Sequence, residues 1–204
     1  MSSCLYSIGH GNKSIDELIH ELRMYNIQYL IDVRSVPYSK FYPHFNQDSL
    51  KSAINASGDI IYGYMGDVIG GRPQDVSCYT DEGQVDYAKI RHLPTFIKGI
   101  DRLEKANEQH FITCIMCSEG DPKLCHRSKL IGEALRDRGI ILQHICHDHN
   151  GKPIIKSQID IINEVNKGLN LEDLFGDVQT FTSRNVYKPV VENENIYDWS
   201  VREP

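Results

Sequence analysis

Short apolar runs alternate with helix-patterned segments along residues 4–155, and this alternation narrows the fold more than any other feature. Leu5-Tyr6-Ser7-Ile8, Tyr29-Leu30-Ile31-Asp32-Val33, Ile60-Ile61-Tyr62-Gly63-Tyr64, Phe111-Ile112-Thr113-Cys114-Ile115-Met116 and Ile140-Ile141-Leu142-Gln143-His144-Ile145 each have the length and composition of a buried strand. Between them, apolar residues recur at helical spacing. Strands that alternate with helices form parallel pairs joined by right-handed crossovers. The sequence therefore predicts an α/β fold: a three-layer, Rossmann-like open sheet, mostly parallel, of about five strands with helices on both faces. Ile8, Ile31, Ile61, Ile115 and Leu142 are predicted to lie in its core strands.

Caps and breakers delimit the helices. Asn12 or Ser14 can cap a first helix that uses Ile15, Leu18, Ile19 and Leu22. A second starts at Gln47-Asp48-Ser49 and stops at Gly58. A long pattern from about Tyr87 to Asn107 is interrupted near Pro94, and another from about 127 to 138 ends at Gly139. Residues 66–84 hold Gly70-Gly71-Arg72-Pro73 and show no period; a loop this long is more often functional than incidental. Residues 1–155 read as the α/β domain. Residues 156–204 read as a helix followed by a polar tail, with the only tryptophan, Trp199, that packs on the domain or on a partner.

Composition excludes several classes. The formal charge of −6 argues against broad electrostatic coating of nucleic acid. No apolar run is long enough to span a bilayer, and the first residues lack the basic-then-apolar pattern of a secretory signal. Four of the six cysteines lie in or beside predicted strands, where a thiol packs as a small apolar group. A reduced, cytoplasmic setting is expected, with no disulfide framework.

Chemistry concentrates in Cys117-Ser118-Glu119-Gly120-Asp121-Pro122-Lys123-Leu124-Cys125-His126-Arg127-Ser128, which joins a predicted strand to a predicted helix. Ligands of open α/β sheets bind at the carboxyl ends of strands, and helix N-termini attract anions. Cys125, beside His126 and Arg127 at the helix start, has the surroundings that lower a thiol pKa and make a nucleophile. Arg127 can grip phosphate or carboxylate, or can pair internally with Glu119 or Asp32. His10 and His126 have the chemistry of acid–base groups, and Glu119 that of a base or an orienting carboxylate. Asp32 and Arg34 end a neighbouring strand. Cys117, Cys125, His126 and His10 also form a soft ligand set suited to zinc or iron, although without paired C-x-x-C spacing, so no metal is assigned. The loop holding Arg34, Tyr38, Lys40, Phe41, Tyr42, His44 and Phe45 could stack bases and hold phosphates; Phe41 and Phe45 read better as core residues. His147 and His149 read as part of a solvated turn.

Taken in order, Ile8-Gly9-His10, Asp32-Val33-Arg34 with Pro37 and Ser39, Gly70-Gly71, Cys117-x-Glu119, Cys125-His126-Arg127, and Gly139 to His144-Ile145 resemble the motifs of domain of unknown function family 488. The resemblance spans about residues 4–155 and implies a fold and a candidate site without naming a reaction. Gly11 stands where many members have Ser. The outline is also similar to that of rhodaneses, in which a strand-end Cys precedes an Arg-Ser helix start. Nine residues separate Cys117 from Arg127, however, including Pro122, which has no N–H to donate. A tight anion-encircling loop is not expected.

The site expected from the sequence is a pocket at the carboxyl strand ends. Cys125, Glu119, His10 and His126 are its candidate catalytic residues. Asp32, Arg34, Gly70, Gly71, Cys117 and Arg127 are its candidate ligand-binding residues. Gly70 and Gly71 would let backbone approach a ligand. The expected activity is that of an enzyme acting on a phosphorylated, nucleotide-like or nucleic-acid substrate. Two alternatives stay open: a non-catalytic nucleotide or nucleic-acid binding module, and a metal-containing redox or regulatory protein. An anionic small molecule or a nucleic-acid end is the expected partner and a membrane is not. The sequence names no cofactor and no oligomeric state.

Overall fold

The computed structural model describes residues 4–166 and 181–187. In chain order these form β1 (Leu5–Gly9), α1 (Ile15–Met24), β2 (Tyr29–Asp32), α2 (Gln47–Ala56), β3 (Ile61–Tyr64), α3 (Gly66–Ile69), β4 (Gln84–Asp86), α4 (Tyr87–Arg91), α5 (Pro94–Glu108) and β5 (Thr113–Cys117). A π-helical turn (Arg127–Gly132) then runs into α6 (Glu133–Arg136), followed by β6 (Gln143–His147), β7 (Pro153–Ser157), α7 (Gln158–Val165) and β8 (Thr182–Val186).

Local chemistry sets these boundaries. Ser14 caps α1 in a reciprocal box: its hydroxyl accepts from the Glu17 N–H, and the Glu17 carboxylate accepts from the Ser14 N–H. Pro94 opens α5, where its missing N–H has no helical partner to lose. Gly139, at φ 76°, ends the helix after α6 in a conformation that a β-carbon would strain.

The main sheet has strand order β3-β2-β5-β1-β6-β7. All pairs are parallel except β6 with β7. The chain crosses from β1 to β2, continues outward to β3, and returns to place β5 between β2 and β1. The carboxyl ends of β1, β2 and β5 therefore lie side by side, with Gly9 in register with Cys117 and Asp32 with Met116. Two cores flank the sheet. Leu18, Leu22, Leu50 and Ile54 from α1 and α2 pack on one face. Ile90, Phe96, Ile100, Leu130, Ile131 and Leu135 from α4, α5 and the π-turn region pack on the other. The α/β architecture, the mostly parallel sheet and the helices on both faces agree with expectation.

The main sheet has six strands where about five were expected, and β4 and β8 form a separate antiparallel ribbon. The extra strand, β7, pairs through Pro153–Ser157 and so carries the sheet past the boundary expected at residue 155. Of the expected tail, residues 167–180 and 188–204, including Trp199, lie outside the described residues. Ile61 is 56% exposed, contrary to expectation, whereas Ile60 is buried. Period-two alternation puts Ile60 and Tyr62 on the core face of the edge strand and turns Ile61 outward. Leu142 is buried one residue before β6 begins. Phe45 is fully buried as expected, but Phe41 is 77% exposed. His147 belongs to the end of β6, where its Nε2 lies 2.8 Å from the Glu21 carboxylate, rather than to a turn.

Candidate functional site

The hydrogen-bond ladder between β1 and β5 continues past the strands. His10 N–H donates to the Cys117 carbonyl (2.9 Å) and Gly11 N–H to the Ser118 carbonyl (3.0 Å). The loop after β5 can cross here because residue 9 is glycine: a β-carbon would lie 2.0 Å from the Glu119 carbonyl oxygen. This accounts for the Gly in Ile8-Gly9-His10.

Cys117, Cys125 and His126 form the centre of the site, with Sγ, Sγ and Nδ1 all within 4.8 Å of one another. The ring nitrogen Nδ1 lies 3.8 Å from Cys117 Sγ and 3.7 Å from Cys125 Sγ. Its other nitrogen, Nε2, donates to the Val33 carbonyl at 3.1 Å. That bond fixes the tautomer and turns the Nδ1 lone pair toward the sulfurs. Gly71 makes room for the ring, since a β-carbon there would sit 2.9 Å from His126 Cγ.

Arg127 is completely buried. Its Nε donates to Cys125 Sγ (3.3 Å), Nη1 to Ser7 Oγ (3.2 Å) and Nη2 to the Glu119 carbonyl. A buried guanidinium is very unfavourable without a compensating charge. Of its three partners only the sulfur can carry one. Burial alone would raise the Cys125 thiol, but the hydrogen bond from Cys117 and the charge of Arg127 act against it, and Cys125 is held well below a thiol's ordinary range. The shared bond to Cys125, together with burial, pushes Cys117 well above that range. Of the two, Cys125 is therefore the more readily ionised thiol and Cys117 the less.

Arg127 is braced from behind by an ordered chain of protons. Gln158 Nε2 donates to the Ser128 carbonyl and to the Glu133 carboxylate, so its Oε1 accepts from His144 Nε2 (2.7 Å). His144 Nδ1 must then accept the Ser7 hydroxyl proton (2.6 Å), and Ser7 Oγ accepts from Arg127. Burial, aided by Arg127, lowers the His144 pKa to about 4.

On the other side, Asp32 and Arg34 form a buried pair. The carboxylate accepts from Arg34 Nε (2.9 Å) and Nη2 (2.6 Å), and also from the Tyr62 hydroxyl (3.0 Å). Arg34 Nη1 lies 3.5 Å from His10 Nε2. The His10 ring stacks on Phe45 with centroids 4.0 Å apart, and its Nδ1 donates to the Gly11 carbonyl. Burial, then the Arg34 charge, lower its pKa to about 3. His10 is therefore a neutral acceptor at physiological pH, not an imidazole poised to exchange protons there.

These groups surround a cavity of about 390 Å³. His10, Arg34, Gly71, Cys117, Glu119, Cys125 and His126 line it. Asp32, Gly70 and Arg127 do not: Asp32 stands behind Arg34, Arg127 stands behind Cys125, and Gly70 packs against Gly66 and Ser35. The two glycines admit neighbouring protein groups, Ser35 and His126, which accounts for their small size without any ligand. Sequence reasoning did not single out Ser118, Tyr87, Arg184, Asn185 or Tyr187, which also line the cavity. The last three arrive on or just after β8, a polar Thr-Ser-Arg-Asn-Val strand with no apolar pattern to mark it. Arg72 lies 4.5 Å over the Tyr187 ring, and Arg184 pairs with Glu119 at 3.5 Å. Tyr38, Phe41 and Tyr42 complete an aromatic rim. No helix among the described residues is long and apolar enough to cross a membrane.

A family model described as "Domain of unknown function DUF488" matches residues 14–134, which include β2, β5, both cluster cysteines and Arg127. No curated protein and no solved structure matches the chain.

Proposed function

The chain belongs to the DUF488 family, whose description assigns no function, and we propose from the site itself that it is an enzyme acting on a phosphorylated, nucleotide-like substrate. The substrate's anionic part would lie against the guanidinium groups and its planar base against the aromatic rim. Its reacting atom would lie over the Cys117–Cys125–His126 cluster. One observation carries the reading. The cluster forms part of the wall of a cavity that also presents Arg34, Arg72 and Arg184 together with Tyr38, Phe41 and Tyr42. Guanidinium groups hold phosphate with paired hydrogen bonds, and aromatic side chains stack bases. An aromatic ring as exposed as Phe41 contributes little to the fold and is available for a ligand.

Calorimetry with nucleoside monophosphates, nucleosides and inorganic phosphate tests this. Arg72→Ala should weaken nucleotide and phosphate binding by roughly tenfold or more, the loss of one charge-assisted hydrogen bond. Phe41→Ala should weaken nucleotide binding by a similar factor, about 1–3 kcal/mol of stacking, and leave inorganic phosphate unaffected. Absence of binding to the wild-type protein would overturn the reading. A nucleotide recovered chemically unchanged after prolonged incubation would leave a binding module and remove the enzyme.

A further inference from the structure

Two thiols and an imidazole meeting beside a cavity have a second chemical meaning. We infer that Cys117, Cys125 and His126 are the three protein ligands of a zinc-type divalent cation whose fourth position opens into the cavity. The inference rests on the reading above only for what would approach that open position.

Four observations carry it. The first is ligand type: two sulfurs and one imidazole suit a borderline-soft ion such as Zn²⁺. The second is spacing. Tetrahedral zinc with Zn–S near 2.3 Å and Zn–N near 2.05 Å sets sulfur and nitrogen about 3.6 Å apart. The structure has 3.8 and 3.7 Å from Nδ1 to the two sulfurs, so these two spacings need only a small contraction, and all three ligand atoms lie within 4.8 Å of one another. The third is the outer shell. Ligating imidazoles typically donate their other N–H to a carbonyl or carboxylate, and His126 Nε2 does so to Val33. Thiolate ligands are commonly supported by N–H donors. Cys125 receives one from Arg127 Nε. The fourth is access: all three residues line the cavity, while their outer-shell partner Arg127 lies behind them.

Charge then indicates what the open position would take. Two thiolates neutralise a divalent cation and leave the buried Arg127 charge unbalanced. A hydroxide or an anionic substrate oxygen would complete the site electrically as well as geometrically. Three protein ligands and one exchangeable oxygen is the pattern of a catalytic zinc site rather than of a closed structural one.

The test uses the reduced, metal-stripped full chain, titrated with Co²⁺ and read by absorption, with Zn²⁺ affinity then measured against a chromophoric chelator. The expected result is saturation near one ion per chain, with thiolate-to-cobalt charge transfer and tetrahedral ligand-field bands. Cys117→Ser and His126→Gln should each weaken Zn²⁺ by at least about 100-fold, at or beyond the upper end of what losing an outer-shell partner does. Cys146→Ser, at a thiol outside the cluster, should change neither spectrum nor affinity. Cys125→Ser also removes the partner of Arg127, whereas His126→Gln keeps both thiols and that contact. A wild-type chain that gives no tetrahedral cobalt spectrum would overturn the inference, as would unchanged affinity in both Cys117→Ser and His126→Gln. Nucleotide binding measured on the metal-stripped protein tests the cavity separately, so either idea can fail without the other.

Discussion

Acidification from about pH 7.5 to about pH 5 should destabilise the fold through one buried side chain, His144. Its ring is fully enclosed, and both nitrogens are committed: Nε2 donates to Gln158 and Nδ1 accepts from Ser7. A proton added at Nδ1 would confront the Ser7 hydroxyl, which already faces the Arg127 guanidinium. The hydroxyl would have to turn away and the chain of donors would break. The ring's pKa in the fold is about 4, against an ordinary 6.5. Because the folded value is the lower one, the unfolded chain takes up the proton first, and stability is lost as pH falls below about 6.5. At pH 5 the difference amounts to about 2 kcal/mol, approaching about 3.4 kcal/mol below pH 4. His144→Gln keeps one donor and one acceptor and removes the titration. Urea unfolding of both proteins at the two pH values isolates the contribution, since the carboxylates and His10 titrate in each. The wild type should lose about 2 kcal/mol more than the variant, or roughly 4–8 °C in Tm. Equal pH slopes in the two proteins would refute the proton order assigned to this chain.

Other consequences can be checked in the same unfolding assay. Arg34→Ala leaves the Asp32 carboxylate buried without its cation and should destabilise by about 3–5 kcal/mol, with Asp32→Asn restoring part of the loss in the double variant. Gly71→Ala places a methyl group 2.9 Å from the His126 ring and should cost about 1–3 kcal/mol. That variant should also show an altered His126 environment by NMR; a silent substitution would mean that the ring is not held against residue 71. Ser14→Ala removes one half of the capping box of α1 and should cost about 1 kcal/mol. Phe41→Ala should stay within about 0.5 kcal/mol of wild type, and a larger loss would show that the ring serves the fold.

Much of this arrangement is legible in the chain because buried parallel strands are written as near-continuous apolar runs. Those runs end at His10, at Asp32 and at Cys117, and parallel pairing alone brings the three ends together. Signals weaken where that physics weakens. At the edge strand β3, a shift of one residue decides whether Ile60 or Ile61 faces the core, and both look alike in sequence. The ribbon of β4 and β8 joins a three-residue strand to a polar one about a hundred residues away, so no periodicity marks either. Arg127 shows a different limit. Composition identifies a cation beside a thiol, but only the packed structure shows that its guanidinium faces Cys125, Ser7 and Glu119 instead of the cavity. The same holds for His10, whose ring stacks on Phe45 from a distant loop.

The cluster and the cavity around it have different origins along the chain. Both sulfurs and the imidazole come from one stretch of ten residues, Cys117 to His126, anchored by Arg127 immediately after it. The walls come from His10 and Gly11, from Arg34 to Tyr42, from Gly71 and Arg72, and from Arg184 to Tyr187. These are separable parts: a substitution in a wall segment alters the shape of what is admitted without touching the reactive stretch. During synthesis they are also separated in time. The sulfurs and the imidazole have all emerged from the ribosome well before β8 can pair with β4, so the reactive groups exist before the last wall that shelters them.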